Sequence, residues 1–200
     1  QRGAPLLAGL LAAGLCASRV HAAPASAPAG VAAAAACASR GGRFSHERDA
    51  EGCRLAGRRE GLWRSYPGGS RRWEGTFRAG VLDGPYVAYY GNCIKAEQGN
   101  YRHGRREGDW TFYHPSGVKS EEGPFVLGVR QGLWRTFHED GPKVSEGPFL
   151  QGQAQGRFAE WFTSGARWQT VEFRRGQRQG VLVERCRALP GGKLQKVVVD

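Results

Sequence analysis

Few residues in this chain stand in patterns that could do chemistry. Of its five histidines, His21 belongs to an apolar leader, and His114 and His138 hold equivalent places in a repeat. Equivalent places in adjacent hairpin repeats lie roughly 10 Å apart, two strands at about 4.8 Å each. That is too far for two ligands on one zinc ion, whose bonds are about 2 Å long. Glu74, Glu122 and Glu146 are also repeat equivalents, which makes each a partner for an arginine rather than half of a catalytic pair. No Cys-x-x-Cys, His-Glu-x-x-His, phosphate loop or Gly-x-Ser-x-Gly elbow occurs. The residues therefore predict no catalytic site, no metal site, no cofactor and no enzymatic activity.

The basic residues are better organised. Arg58, Arg59, Arg105, Arg106, Arg130 and Arg178 recur in one kind of turn, and stacked repeats would line them along one edge. Arginine suits bidentate contact with phosphate, so this edge is a candidate site for anionic lipid or envelope polymer. Nucleic acid is not expected. Glu60, Asp83 and Glu107 share the same turns and dilute the charge. The net charge is +11, and +9 once residues 1–22, which hold Arg2 and Arg19 and no acid, are set aside. Charge of this sign favours encounter with polyanions, although it says nothing about fold.

The positions of these residues follow from a period. Gly-x-x-x-Gly pairs fall at Gly57/Gly61, Gly80/Gly84, Gly104/Gly108, Gly128/Gly132, Gly152/Gly156 and Gly176/Gly180, a step of 23 once and 24 four times. Two residues after the second glycine comes a ring: Trp63, Tyr86, Trp110, Trp134, Phe158. Three further on comes another: Tyr66, Tyr89, Tyr113, Phe137, Trp161. A turn follows, then Glu-Gly-x-Phe or a near copy, which carries Gly75, Gly99, Gly123 and Gly147. The fifth copy has Val171 in place of the glycine.

Turn dipeptides such as Asp140-Gly141 between alternating apolar runs predict hairpins. A two-residue turn there sets Trp134 opposite Gly147 and Gly132 opposite Phe149. The same register sets Trp110 opposite Gly123 and Gly108 opposite Phe125. Each large ring then shields a bare glycine. Trp63, Tyr86, Trp110, Trp134 and Phe158 are expected to be structural. The second ring column has the opposite parity and lies on the other face, where it is a candidate binding groove. The fold expected is an all-β, elongated, single-layer antiparallel meander of stacked hairpins. Pro124 and Pro148 inside strands suggest short strands with imperfect pairing.

Gly-x-Trp-x-x-Tyr/Phe followed by Gly-x-Phe-x-x-Gly, five times over, resembles the MORN repeat. It is closest to the bacterial variant associated with antitoxin components. The resemblance spans residues 57–180, and loosely 51–200. It implies a twisted sheet of stacked hairpins and a scaffold role, with some related modules touching membranes or anionic phospholipid. It also implies an antitoxin-like neutraliser, which an export signal would direct against an exported toxin.

Five segments follow. Residues 1–22 read as a signal peptide cleaved near Ala22, placing the mature chain in the periplasm or outside the cell. Cys16 offers a lipid anchor, against which Gly14-Leu15 fits poorly. Residues 23–38 read as a flexible Ala/Pro linker, 39–56 as an N-terminal capping half-repeat, 57–180 as five repeats and 181–200 as a C-terminal capping half-repeat. No segment is long enough to span a bilayer as a helix. Cys37–Cys53 is the favoured disulfide, a short loop that covers the first exposed edge. In an open sheet Cys93 and Cys186 lie about 40 Å apart, while bridged Cα atoms sit within about 7 Å, so Cys93 is expected to be free or intermolecular. The function expected is a non-enzymatic exported scaffold for a protein partner of unknown identity.

Overall fold

The computed structural model describes residues 29–179, together with the backbone of 185–188 and 194–197. The expected signal peptide, its cleavage site and most of the expected C-terminal cap lie outside the described residues.

The chain runs as one helix and a succession of strands. Helix α1 is Ala29–Ala38 and β1 is Arg43–His46. The following strands are β2 (Ala50–Leu55), β3 (Arg58–Ser65), β4 (Trp73–Arg78), β5 (Val81–Tyr89), β6 (Lys95–Arg102), β7 (Arg105–Tyr113) and β8 (Lys119–Val126). Then come β9 (Val129–Arg130), β10 (Gly132–Phe137), β11 (Lys143–Leu150), β12 (Gln153–Ala154), β13 (Gly156–Trp161), β14 (Arg167–Arg174) and β15 (Gln177–Gln179). These form one fifteen-stranded sheet whose strands neighbour one another in chain order, except that the short β9 and β12 lie off this path and pair with β8 and β11. Every pairing is antiparallel, so the expected single-layer meander is the fold. Two further strands, β16 (Arg185–Ala188) and β17 (Leu194–Val197), pair as a separate hairpin. Residues 29–38, expected to be linker, are helical instead, because seven of those ten residues are alanine, the strongest helix former.

Two kinds of turn alternate. The return turns, Ala56-Gly57, Ala79-Gly80, His103-Gly104, Leu127-Gly128, Gln151-Gly152 and Arg175-Gly176, have both residues at positive φ. That is the two-residue geometry whose twist matches paired strands. Each turn is stitched to the one before it: the Gly104, Gly128 and Gly152 N–H groups donate to the carbonyls of Leu82, Arg106 and Arg130 at 2.8, 2.8 and 2.9 Å. The second glycine of the first five pairs also has positive φ, as at Gly108 (φ 69°) and Gly132 (φ 73°), and marks a break in the ladder.

The hairpin turns are one residue longer than the two-residue turn expected at Asp140-Gly141. The Gly141 N–H donates to the His138 carbonyl at 2.9 Å, and His138 N–H to the Pro142 carbonyl at 2.8 Å. Glu139, Asp140 and Gly141 therefore make a three-residue loop, with Gly141 left-handed and Val144 bulged out of the strand. The bulge compensates the extra loop residue, so the interior register stands as expected. Trp134 pairs with Gly147, Gly132 with Phe149, Trp110 with Gly123 and Gly108 with Phe125.

The core is one face of the sheet. Trp63, Trp110 and Trp134 are 0, 0 and 2% exposed, and Phe77, Phe125, Phe158 and Val171 are buried beside them. A single layer reaches such burial because rings pack along it in edge-to-face steps: Trp110 on Tyr101 at 5.2 Å, Trp134 on Phe125 at 5.0 Å, Phe158 on Phe173 at 4.8 Å. Each ring shields the glycine of the preceding strand and not the one across its own hairpin. A Cβ on Gly123 would lie 2.5 Å from the Trp134 ring, on Gly99 2.4 Å from Trp110, and on Gly147 2.2 Å from Phe158. All the rings lean over the preceding strand, and there the indole N–H groups find carbonyls. Nε1 of Trp63, Trp110 and Trp134 donates to Cys53, Asn100 and Pro124 at 2.9, 3.1 and 3.1 Å.

Candidate functional site

The six arginines expected along one edge divide between two places. Arg58 and Arg105 are exposed directly after their return turns, and Arg178 is exposed one residue further on, opposite Phe173, in the place that Arg59, Arg106 and Arg130 hold in their own units. Arg59, Arg106 and Arg130 instead fold onto the tryptophan face, each guanidinium lying over the ring four residues on, at 4.5, 4.4 and 4.1 Å from the centroids of Trp63, Trp110 and Trp134. Each is fixed by a carboxylate: Arg59 by Glu47 at 2.5 Å, Arg106 by Glu97 at 2.6 Å and Arg130 by Glu121. These three cannot serve as an open strip of charge.

The Glu–Arg–Trp unit changes as a whole within this one chain. In the second repeat the equivalent places hold Trp73, Leu82 and Tyr86, with Trp73 and Tyr86 stacked at 6.4 Å. In the fourth-to-fifth they hold Ser145, Ala154 and Phe158. Among the five ring-bearing units a guanidinium is kept where the ring is an indole, the strongest cation–π acceptor, and is replaced by an apolar side chain where it is not.

The acids thought to dilute the edge have a definite task. Glu60 and Glu107 carboxylates accept the N–H of Ala79 and Leu127, the first residues of the next return turns, at 2.8 and 2.9 Å. Gln131 and Gln155 do the same for Gln151 and Arg175 at 3.0 and 2.9 Å. The edge is thus a hydrogen-bonded column of turns. Its exposed side chains include Arg78, Arg102, Arg174 and Arg175 as well as apolar Leu127, Val129 and Leu150.

The second ring column stands on the opposite face by strand alternation. Tyr66, Tyr89, Tyr113, Phe137 and Trp161 are all half-buried. A cation from the preceding hairpin lies over three of them: Arg71 over Tyr89 at 5.9 Å, Lys119 over Phe137 at 5.6 Å and Lys143 over Trp161 at 4.0 Å. Beside the rings runs a ladder of ion pairs. Lys119 binds Glu122 at 2.6 Å, Arg135 bridges Glu122 and Glu146 at 3.5 and 2.7 Å, and Lys143 binds Glu146 at 3.1 Å. Glu74, Glu122 and Glu146 thus meet basic partners, Glu74 through Arg71 at 2.7 Å. Reading the sequence missed Glu47, Glu97 and Glu121. The signal for the last two was their place nine residues before an arginine that itself precedes a tryptophan by four.

Hydrogen bonding to Lys119 holds the Glu122 carboxyl below its usual range, and hydrogen bonding to Arg135 does the same for Glu146. A depressed folded-state pKa stabilises the fold above the unfolded value of about 4.5, and that contribution is lost as pH falls through the folded value. Glu146→Gln is therefore expected to narrow the gap between urea midpoints at pH 7 and pH 3 relative to the parent chain. An unchanged gap would show that the ladder adds nothing to stability.

The Cys37 and Cys53 sulfurs are bonded, with Cα atoms 5.5 Å apart. Cys93 is also disulfide-bonded, which corrects the expectation that it is free or intermolecular. It occupies the left-handed third place of its hairpin loop (φ 69°), where the other loops have glycine. Among the described residues no group of histidine, cysteine and acidic side chains could hold a metal ion, and no helix is long and apolar enough to cross a membrane.

Fold and surfaces together define a repeat protein that presents a rigid, single-layer β-sheet with one packed and one open ring column. No known family model matches the chain, and no curated protein is similar to it.

Proposed function

We propose that the chain is a non-enzymatic, exported scaffold that binds a protein partner across its open ring face. The observation that carries this reading is the column Tyr66, Tyr89, Tyr113, Phe137 and Trp161, half-buried in five successive repeats, with cations over Tyr89, Phe137 and Trp161. Aromatic side chains on a rigid support lose little entropy on binding and dominate interface energies. The spacing of roughly 10 Å between equivalent rings suits an elongated partner. The leader-like residues 1–22 support an exported location, and the MORN-like pattern supports a scaffold role, including neutralisation of an exported toxin. Pull-down from envelope extract tests the reading with the parent chain, a Phe137→Ala/Trp161→Ala variant and an Arg105→Ala/Arg178→Ala variant. A partner lost only with the ring variant is the expected result; equal capture by all three proteins would refute it.

A second reading, binding of anionic lipid or envelope polymer along the return turns, is favoured by the exposure of Arg58 and Arg105 on the column of turns and of Arg178 beside it. It predicts cosedimentation with anionic liposomes or cell wall that weakens with salt and with Arg105→Ala/Arg178→Ala.

A further inference from the structure

We propose that the outer edge of β1 takes an added strand from an acidic peptide. This site is separate from the ring face and does not rest on its role. In strand order β1 is terminal, and among the described residues only β2 pairs with it. The Glu47 N–H donates to the Ala50 carbonyl at 2.7 Å, so that residue's backbone faces β2. Alternation along an antiparallel strand then turns the N–H and C=O groups of Phe44 and His46 outward, free to pair. A cleft of about 820 Å³ runs along this strand, lined by all of β1 and by Gly41, Gly42, Arg54, Ala56 and Gly57. Its cationic lining is Arg43 and Arg54, and His46 lies 3.3 Å from Glu51.

The charges name the occupant. Arg43 is the register partner of Arg54, and Arg54 of Arg59, so three guanidinium groups stand in a row across three strands. Like charges directly opposite destabilise a sheet. Glu47 neutralises this row from one side by binding both Arg54 and Arg59, while Arg43, at the open end, has no ion-pair partner among the described residues. Further along the same face each stacked arginine has its own acid, Glu97 or Glu121. An aspartate or glutamate on a strand added beside β1 supplies the acid that Arg43 lacks. Pairing of β1 with a second copy of itself on this edge sets Phe44 against His46 and Arg43 against Glu47, a carboxylate already held by Arg54 and Arg59.

Fluorescence anisotropy with the full chain tests this, using a capped, labelled hexapeptide of alternating Glu and Val, its Lys–Val counterpart, and the Glu–Val peptide with alternate amides N-methylated. The Glu–Val peptide is expected to bind at least about tenfold more tightly than either. Arg43→Glu is expected to remove that preference. Phe44→Pro, which deletes an outward N–H, is expected to abolish binding that Phe44→Ala keeps. Phe137→Ala/Trp161→Ala is expected to change nothing, so failure of the ring-face reading leaves this one standing. Equal affinity for the Glu and Lys peptides, or binding that survives N-methylation of the peptide, would overturn the proposal.

Discussion

Trp134→Ala is expected to cost about 3–5 kcal/mol, the range for deleting a buried large aromatic. The indole is 2% exposed. Its loss uncovers Gly123, whose place for a Cβ lies 2.5 Å from the ring. It also removes the edge-to-face contact with Phe125 at 5.0 Å, the platform under Arg130 at 4.1 Å and the donor to the Pro124 carbonyl. The void opens on a single layer with no second sheet to collapse into it, so relaxation recovers little. Trp134→Phe keeps the ring and loses the N–H and is expected to cost about 1 kcal/mol; the chain already carries phenylalanine at the equivalent Phe158. Leu133→Ala, 43% exposed next door, is expected to fall within about 0.5 kcal/mol. Denaturant unfolding of the three variants checks this order. A Trp134→Ala cost no larger than that of Leu133→Ala would mean that the ring column does not hold the sheet together.

The meander was legible because its period is written in residues whose backbone or bulk is irreplaceable. Gly123 must be bare under a ring, and Gly104 and Gly128 must sit at positive φ in two-residue turns. The register of Trp134 with Gly147 is read outward from the turn at Asp140-Gly141. The hairpin loop length was not legible. Asp140-Gly141 reads as a two-residue turn, and only the bulge at Val144, which no side-chain signal announces, absorbs the third loop residue. The lean of Trp134 onto Gly123 was hidden for a related reason: cross-strand alternation says which face a ring takes and not which neighbour its N–H will reach.

The candidate surfaces were less legible than the fold, because turn position does not say where a long side chain ends. Arg105 and Arg106 are adjacent in sequence and lie on opposite sides of the sheet's edge chemistry. Arg105 stays in solvent, while Arg106 turns back over Trp110 to reach Glu97. The pairing is encoded by nine- and four-residue spacings that cross between strands, and its best internal evidence is the second repeat, where Leu82, Tyr86 and Trp73 replace all three members together. The open column from Tyr66 to Trp161 was readable from parity alone, since strand faces alternate without exception between bulges.

The disulfide between Cys37 and Cys53 is expected to supply about 3 kcal/mol, from closing a loop of about 15 residues in the unfolded chain; the two cysteines are 16 apart. The stabilised part is the entry to the sheet. Helix α1 is ten residues of mostly alanine, with no acid in its first turn and no base in its last, and a helix of that length is marginal by itself. Cys37 at its end is fully buried, and Gly42 leaves room for the bridge, since a Cβ there would lie 2.6 Å from the Cys53 sulfur. In a stack whose units contact mainly their neighbours, loss of an end interaction frays that end before it reaches the middle. Cys37→Ser/Cys53→Ser is therefore expected to make the amides of α1 and β1 exchange rapidly while those of β6 to β11 keep their protection. The serine pair is the right variant, because a reductant would also open the bond at Cys93. Protected α1 amides in that variant would mean that packing alone seats the helix. Uniform loss of protection through β11 would mean that the fold is one cooperative unit nucleated at its first hairpin, and that the repeats are not the independent modules their glycine spacing implies.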